Sequence, residues 1–193
     1  MGRRSDHSRE DLKQLIIDEG HRQMGDQGYA HFSARRVARA IGYSVGTIYN
    51  VFPSLDHLLL AINTRTFAVW SEHLRARLTR AGADRIQALV EAYFSFAREN
   101  PNLWMAIYDH RLPPDMTMPD QDAEVRATLT GIVVEEVASV VRGRSSQDIQ
   151  HLARSLIATV HGHCAFDLNG TFAVLGETNP VRMALDRVRE ALE

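Results

Sequence analysis

Three arginines, Arg35, Arg36 and Arg39, precede a stretch that continues through Ser44, Thr47, Tyr49 and Asn50. Side chains of these types do little to covalent bonds and much to phosphates and base edges. Guanidinium groups neutralise a charged backbone, and hydroxyls with a carboxamide hydrogen-bond in a major groove. Helix starts at Ser33 and Ser44 would add peptide N–H donors for phosphate. A second group, Thr159-Val-His-Gly-His-Cys-Ala-Phe166, gathers two histidines and the single cysteine. His161 and His163 are two residues apart, which on a helix turns them roughly 200° from each other. They are poorly placed to share one ion, although Asp109, His110 or His73 would supply a partner from elsewhere. A satisfied place at a packed interface, contact with a small molecule and metal binding all stay open for them. Cys164 reads as a buried thiol, because a redox role needs an electropositive, exposed setting. No serine elbow, glycine phosphate loop or paired metal motif is present, so no catalytic residue, cofactor or metal is expected.

These groups act only if helices hold them. Ser8 is placed to cap a first helix with Leu12, Leu15, Ile16 and Met24 near the period of 3.6. Asp11, three residues on, makes an approximate capping box, and Gly28 suits a left-handed end. Ser33 caps a short second helix with Val37, Ala38 and Ile41 facing inward, and Gly42 stops it. Ser44 caps a third that buries Ile48 and Phe52. Ala38 and Gly42 are small where two helices cross, and Thr47, Tyr49 and Asn50 remain outside. After Pro53, Ser54 and Asp56 open a long fourth helix, to about Arg80, carrying Leu58, Leu59, Ile62, Phe67 and Leu74. Further helices are expected at 84–99, 101–111, 120–143, 146–169 and 180–192, with the prolines of 113–119 enforcing a loop. No alternating strand pattern appears. The reading is all-α with about nine helices: a three-helix bundle with a helix-turn-helix over 1–53, then a helical ligand-binding and dimerisation domain over 54–193.

Composition agrees with that division. The chain has 193 residues, 45% hydrophobic and 24% charged, with six prolines and one cysteine. Its net charge of −2 hides an asymmetry: Met1 to Phe52 carries eight Lys or Arg against six Asp or Glu, leaving fourteen against eighteen for the rest. The modestly basic end is the one with the arginine-rich motif. No apolar run is long enough for a bilayer, and Arg3 and Arg4 are followed by no apolar block of a secretory signal. A reducing cytoplasm and no membrane partner are expected.

The order of the spaced residues goes further. Gly28-Tyr29, Val37-Ala38 with Gly42, and Thr47-Ile-Tyr49 with Phe52-Pro53-Ser54 and Leu58 make residues 8–62 resemble the DNA-binding domain of tetracycline-repressor (TetR) family regulators. The resemblance implies that the third helix, about Val45 to Val51 and including Gly46, enters the major groove. It also implies that Tyr49 touches phosphate and that Thr47 and Asn50 lie close to bases. Leu55 departs from the pattern, since a phosphate-touching lysine is common there. Such domains act as homodimers on pseudo-palindromic double-stranded DNA. Arg98-Glu-Asn-Pro-Asn-Leu-Trp-Met-Ala-Ile-Tyr108 and the His161-Gly162 segment resemble the subgroup named for a Trp-His-Gly motif, with Val160 at the tryptophan position. That implies helices 146–169 and 180–192 paired with their symmetry mates. The candidate contacts of an apolar or aromatic small-molecule effector are Tyr93, Phe96, Trp104, Met105, Tyr108, His161 and Phe166, any of which serves equally well as plain core. A ligand-released repressor is the reading, with a DNA-binding structural or cell-division factor of the same fold as its rival. The sign of regulation stays open.

Overall fold

A computed structural model describes residues 7–193; Met1–Asp6, and with them Arg3 and Arg4, lie outside the described residues. The described chain is all-α. In order come α1 (Arg9–Gln27), a single 3-10 turn (Tyr29–His31), α2 (Ala34–Ala40), α3 (Val45–Val51), α4 (Leu55–Thr79) and α5 (Arg85–Glu99). Then follow α6 (Pro101–Asp109), α7 (Asp120–Val140), α8 (Ser146–Leu168), α9 (Thr171–Val174) and α10 (Pro180–Leu192). The four-residue α9, opened by Gly170, was not expected; α6 and α7 stop slightly short of 111 and 143. Among the described residues no single helix is long and apolar enough to cross a membrane.

Local signals set the ends. The Ser8 hydroxyl accepts from the Asp11 N–H at 3.1 Å, and the Asp11 carboxylate accepts from the Ser8 N–H at 3.3 Å, a complete capping box. Gly28 ends α1 at φ 75°, ψ 172°, an extended mirror-image conformation open essentially to glycine and not the left-handed helical end expected. Ser33 does occupy the N-cap of α2, yet its side chain makes no capping bond; α2 is held by burial of Ala34, Val37 and Ala38. At Gly42, φ is 79°, and an added Cβ would meet nothing within 4 Å. That glycine serves the turn's left-handed backbone and not the close crossing expected of it. The close approach is at Gly20, where an added Cβ would lie 2.6 Å from Ile62 Cδ1.

Two compact units emerge: Met1–Thr66 with Asn102–Asp122, and Phe67–Pro101 with Ala123–Glu193. In the first, Ile16, Met24, Val37, Ile48, Phe52, Leu58 and Ile62 form the core, joined by Leu103 and Ala106 of α6. Full burial of each large aliphatic stabilises by roughly 1.5–3 kcal/mol. The Asn102 amide donates to the Gly25 carbonyl at 2.8 Å, and the Asn63 amide to the Ala106 carbonyl at 3.2 Å. His110, at the end of α6, meets the Asp56 carboxylate at 3.2 Å. In the second unit α8 lies along α10, and α5 packs on both. Trp70 stacks on Phe96 at 5.1 Å and meets the edge of Tyr93 at 4.8 Å. The Arg85 guanidinium donates twice to Glu136, while Arg98 pairs with Asp167 and Arg189 with Asp84.

Candidate nucleic-acid interface and the cavity of the second unit

The reading surface is α3 and its approach. Ile48 is fully buried and Phe52 nearly so, which fixes the rotation of α3 and turns Gly46, Tyr49 and Asn50 outward, all exposed. Val45 and Thr47 are half-buried beside them. The Ser44 hydroxyl accepts from the Thr47 N–H at 3.2 Å and lies 3.0 Å from the Thr47 hydroxyl. A single capping residue therefore starts α3 and orients one of its polar side chains. Tyr49 presents its ring and hydroxyl with 46% of its surface free, a large exposure for an aromatic with no apolar partner surface to complete. On α2, Arg35 and Arg39 are exposed and Arg36 half-buried, in keeping with positive charge flanking the third helix. Leu55, where the family commonly has lysine, is 39% exposed at the start of α4, so that phosphate contact has no cation here. A contact not foreseen in the sequence joins His7 to the turn residue Tyr43, ring nitrogen to hydroxyl at 3.0 Å. No local spacing announces a pair 36 residues apart.

The second unit contains an apolar cavity of about 40 Å³ lined by residues of α4, α5, α7, α8 and α10. Tyr93 is the one polar side chain in that lining; Leu74, Val90, Val133, Val137, Leu156 and Val160 are among the aliphatic remainder. The Tyr93 hydroxyl lies 3.2 Å from Nδ1 of His161, and burial holds the His161 ring below its ordinary pKa. His163 turns elsewhere: its Nδ1 donates to the Thr159 carbonyl at 2.8 Å, one helical turn back, and its ring sits 5.8 Å from Phe172. The Cys164 thiol is buried and pushed up to about 12, by burial first and then by Asp167. Among the described residues no three acidic, histidine or cysteine side chains are grouped to hold a metal.

The expected effector contacts divide between the units. Tyr93, Phe96, His161 and Phe166 belong to the second, while Trp104, Met105 and Tyr108 belong to the first. Tyr93 meets His161, and both Tyr93 and Phe96 pack on Trp70. Phe166 packs edge-on against Phe172 at 5.6 Å and is 46% exposed. Trp104 is buried with its ring 5.1 Å from Tyr108, whereas Met105 and Tyr108 are exposed. The aliphatic cavity residues were missed, because periodicity gives a cavity wall and a solid core the same pattern.

Comparison with known proteins agrees with this geometry. Residues 16–62 match the family model described as bacterial regulatory proteins, tetR family. Residues 86–192, more than half of the chain, match the tetracyclin repressor-like C-terminal domain. The Trp-His-Gly subgroup remains a resemblance of two segments only. The HTH-type transcriptional regulator Rv1816 of Mycobacterium tuberculosis is 28% identical over 143 residues, which is 72% of this chain and 61% of that protein. The chain thus spans about three-fifths of the length of that curated relative. The nucleoid occlusion factor SlmA of Haemophilus ducreyi is 23% identical over 146 residues, 71% of this chain and 70% of that one. Among structures, a tetR-family transcriptional regulator from Streptomyces coelicolor superposes with a TM-score of 0.64 at 19% identity, over 99% of this chain and 80% of that one. The multidrug binding protein EbrR, complexed with imidazole, gives 0.65 at 20% identity over 97% of each chain. With its exposed third helix and its two matched domains, the chain belongs to the tetR family of helix-turn-helix DNA-binding transcriptional regulators.

Proposed function

We propose that the protein is a homodimeric repressor that leaves a pseudo-palindromic operator when a small apolar or aromatic molecule binds its C-terminal part. The observation that carries this reading is the outward face of α3, where Thr47, Tyr49 and Asn50 stand on a seam anchored by buried Ile48 and Phe52. Tyr49 contacts phosphate, Thr47 and Asn50 meet base edges, and Arg35, Arg36 and Arg39 neutralise the flanking backbone. Ser33, Ser44, Val45 and Gly46 bring the backbone of the short helices up to the DNA. Residues 1–53 form the reading domain and residues 54–193 the sensing and dimerising domain. Helices α8 and α10 pair with those of a second copy; Ala158 and Gly162, exposed one turn apart on α8, allow close helix approach. Effector contacts are drawn from Tyr93, Phe96, Trp104, Met105, Tyr108, His161 and Phe166. Ligand acts through its unequal affinity for two arrangements of the dimer, transmitted along α4, whose residues pass from the first unit into the second. EbrR, named as a multidrug binding protein, supports a sensing role. The SlmA similarity favours a second reading, a DNA-bound nucleoid occlusion factor with no small-molecule effector. The test is selection of genomic fragments by the purified protein. The resulting site is then titrated in the presence of the compounds its neighbouring genes handle. An inverted repeat released by such a compound is expected; an inverted repeat that no compound releases favours the second reading.

A further inference from the structure

Two ring side chains from distant parts of the first unit meet at the edge of the reading surface. Nδ1 of His7, the residue just ahead of the α1 cap, lies 3.0 Å from the Tyr43 hydroxyl, with the ring centroids 6.4 Å apart. Tyr43 stands in the turn between α2 and α3, immediately before Ser44, which caps α3. A recognition helix meets base edges with its N-terminal residues, so this turn lies at the DNA end of α3. His7 is exposed and Tyr43 half-buried, and at such a place a hydrogen bond adds little stability. Its consequence is where it holds the chain. The residues ahead of His7 are basic, with Arg3 and Arg4 against one carboxylate, Asp6. Arg3 is four residues from His7, and four residues of extended chain span at most about 14 Å. The major groove is about 12 Å wide, so DNA engaged by α3 brings backbone phosphates within reach of both guanidiniums. Asp11, in the first turn of α1, is already bound to the Ser8 N–H and hydroxyl.

We propose that the His7–Tyr43 pair seats the residues ahead of α1 on the DNA backbone beside the groove that α3 enters, with the guanidiniums of Arg3 and Arg4 on phosphate. His7 and Tyr43 are positioning residues in this arrangement. The phosphate contacts carry no sequence information and add to affinity for any duplex. They supply from ahead of α1 the cation that Leu55 does not supply from α4.

The test uses the full chain and two duplexes, one drawn from the genomic fragments the protein enriches and one of random sequence. Fluorescence anisotropy between about 50 and 200 mM salt gives the slope of log affinity against log salt, to which each phosphate contact contributes about 0.9. Arg3→Ala combined with Arg4→Ala is expected to reduce that slope by about 1.8 on both duplexes and to weaken binding about tenfold. Tyr43→Phe keeps the ring and removes the hydroxyl. In that background the double arginine substitution should weaken binding by less than about threefold. His7→Ala, at an exposed position, is the second variant should the first melt at a lowered temperature. A merely structural pair would shift the melting temperature and leave the salt slope alone. An unchanged slope after loss of both arginines overturns the proposal. So does a full arginine effect in both the Tyr43→Phe and His7→Ala backgrounds, since the pair then positions nothing. If no fragment is enriched the repressor reading fails, while the arginine slope on the random duplex still decides this one. Absence of binding to either duplex defeats both.

Discussion

Tyr49 and Asn50 sit next to each other on α3 and are expected to fail in different ways. Tyr49→Phe removes a hydroxyl assigned to phosphate and should lower affinity for all DNA sequences together. Asn50→Ala removes a base-edge contact worth about 1–3 kcal/mol and should relax preference at one operator position. Binding measured against a panel of single-base operator variants separates the two patterns. Both side chains are exposed, so neither substitution should move the melting temperature by much. A different residue governs acid stability. Burial, with Arg65 as a second cause, pushes His21 from 6.5 down to about 4, and its Nε2 has no partner. The folded chain keeps this ring neutral at pH values where the unfolded chain binds a proton. The stability it provides is therefore whole above about pH 6.5 and is lost as pH falls toward 4. His73 and His161 are lowered by burial in the same sense. Melting temperatures recorded from pH 7.5 to 4.5 should fall, and His21→Gln should flatten part of that fall. A variant with the parent's full pH dependence would show that His21 is not responsible.

At the scale of elements, much of the first unit was legible because its signals are local. Ser8 with Asp11, Ser44 with Thr47, and Gly42 announce where α1 and α3 start and where α2 stops, within a few residues of the sequence. Ser33 misled, since a serine at an N-cap position need not turn its hydroxyl to the helix. What stayed hidden is long-range. Nothing near Leu103 indicates that it packs against Gly25, or that Asn102 bonds the Gly25 carbonyl. The crossing of α1 and α4 was hidden for the same reason. Gly20→Ala would drive a methyl against Ile62, which is fully buried and close-packed. A loss of about 1–3 kcal/mol is expected in urea unfolding. Gly42→Ala meets open space but must hold a left-handed backbone, at a cost of about 1–2 kcal/mol. A neutral Gly20→Ala would mean that α1 and α4 cross less closely than described.

For the whole molecule, the proposed two-fold dimer would place two copies of α3 on one DNA. If α8 faces its mate, Gly162→Arg should raise the dissociation constant of the dimer in sedimentation, and operator affinity should fall with it. Gly162 is exposed, with open space around its α-carbon, so the monomer should still fold. The fold class and the family were readable from helical periodicity and the order of the motif. The cavity of the second unit was not, because it is walled by aliphatic residues that look the same as any core. The most direct single measurement is selection of genomic fragments by the wild-type protein beside Asn50→Ala, with the enriched sequences compared. One inverted repeat is expected for the wild type, with half-sites a helical turn or more apart. Asn50→Ala should return the same repeat with one position in each half degraded. Enrichment without symmetry, or an identical site for both proteins, would contradict it.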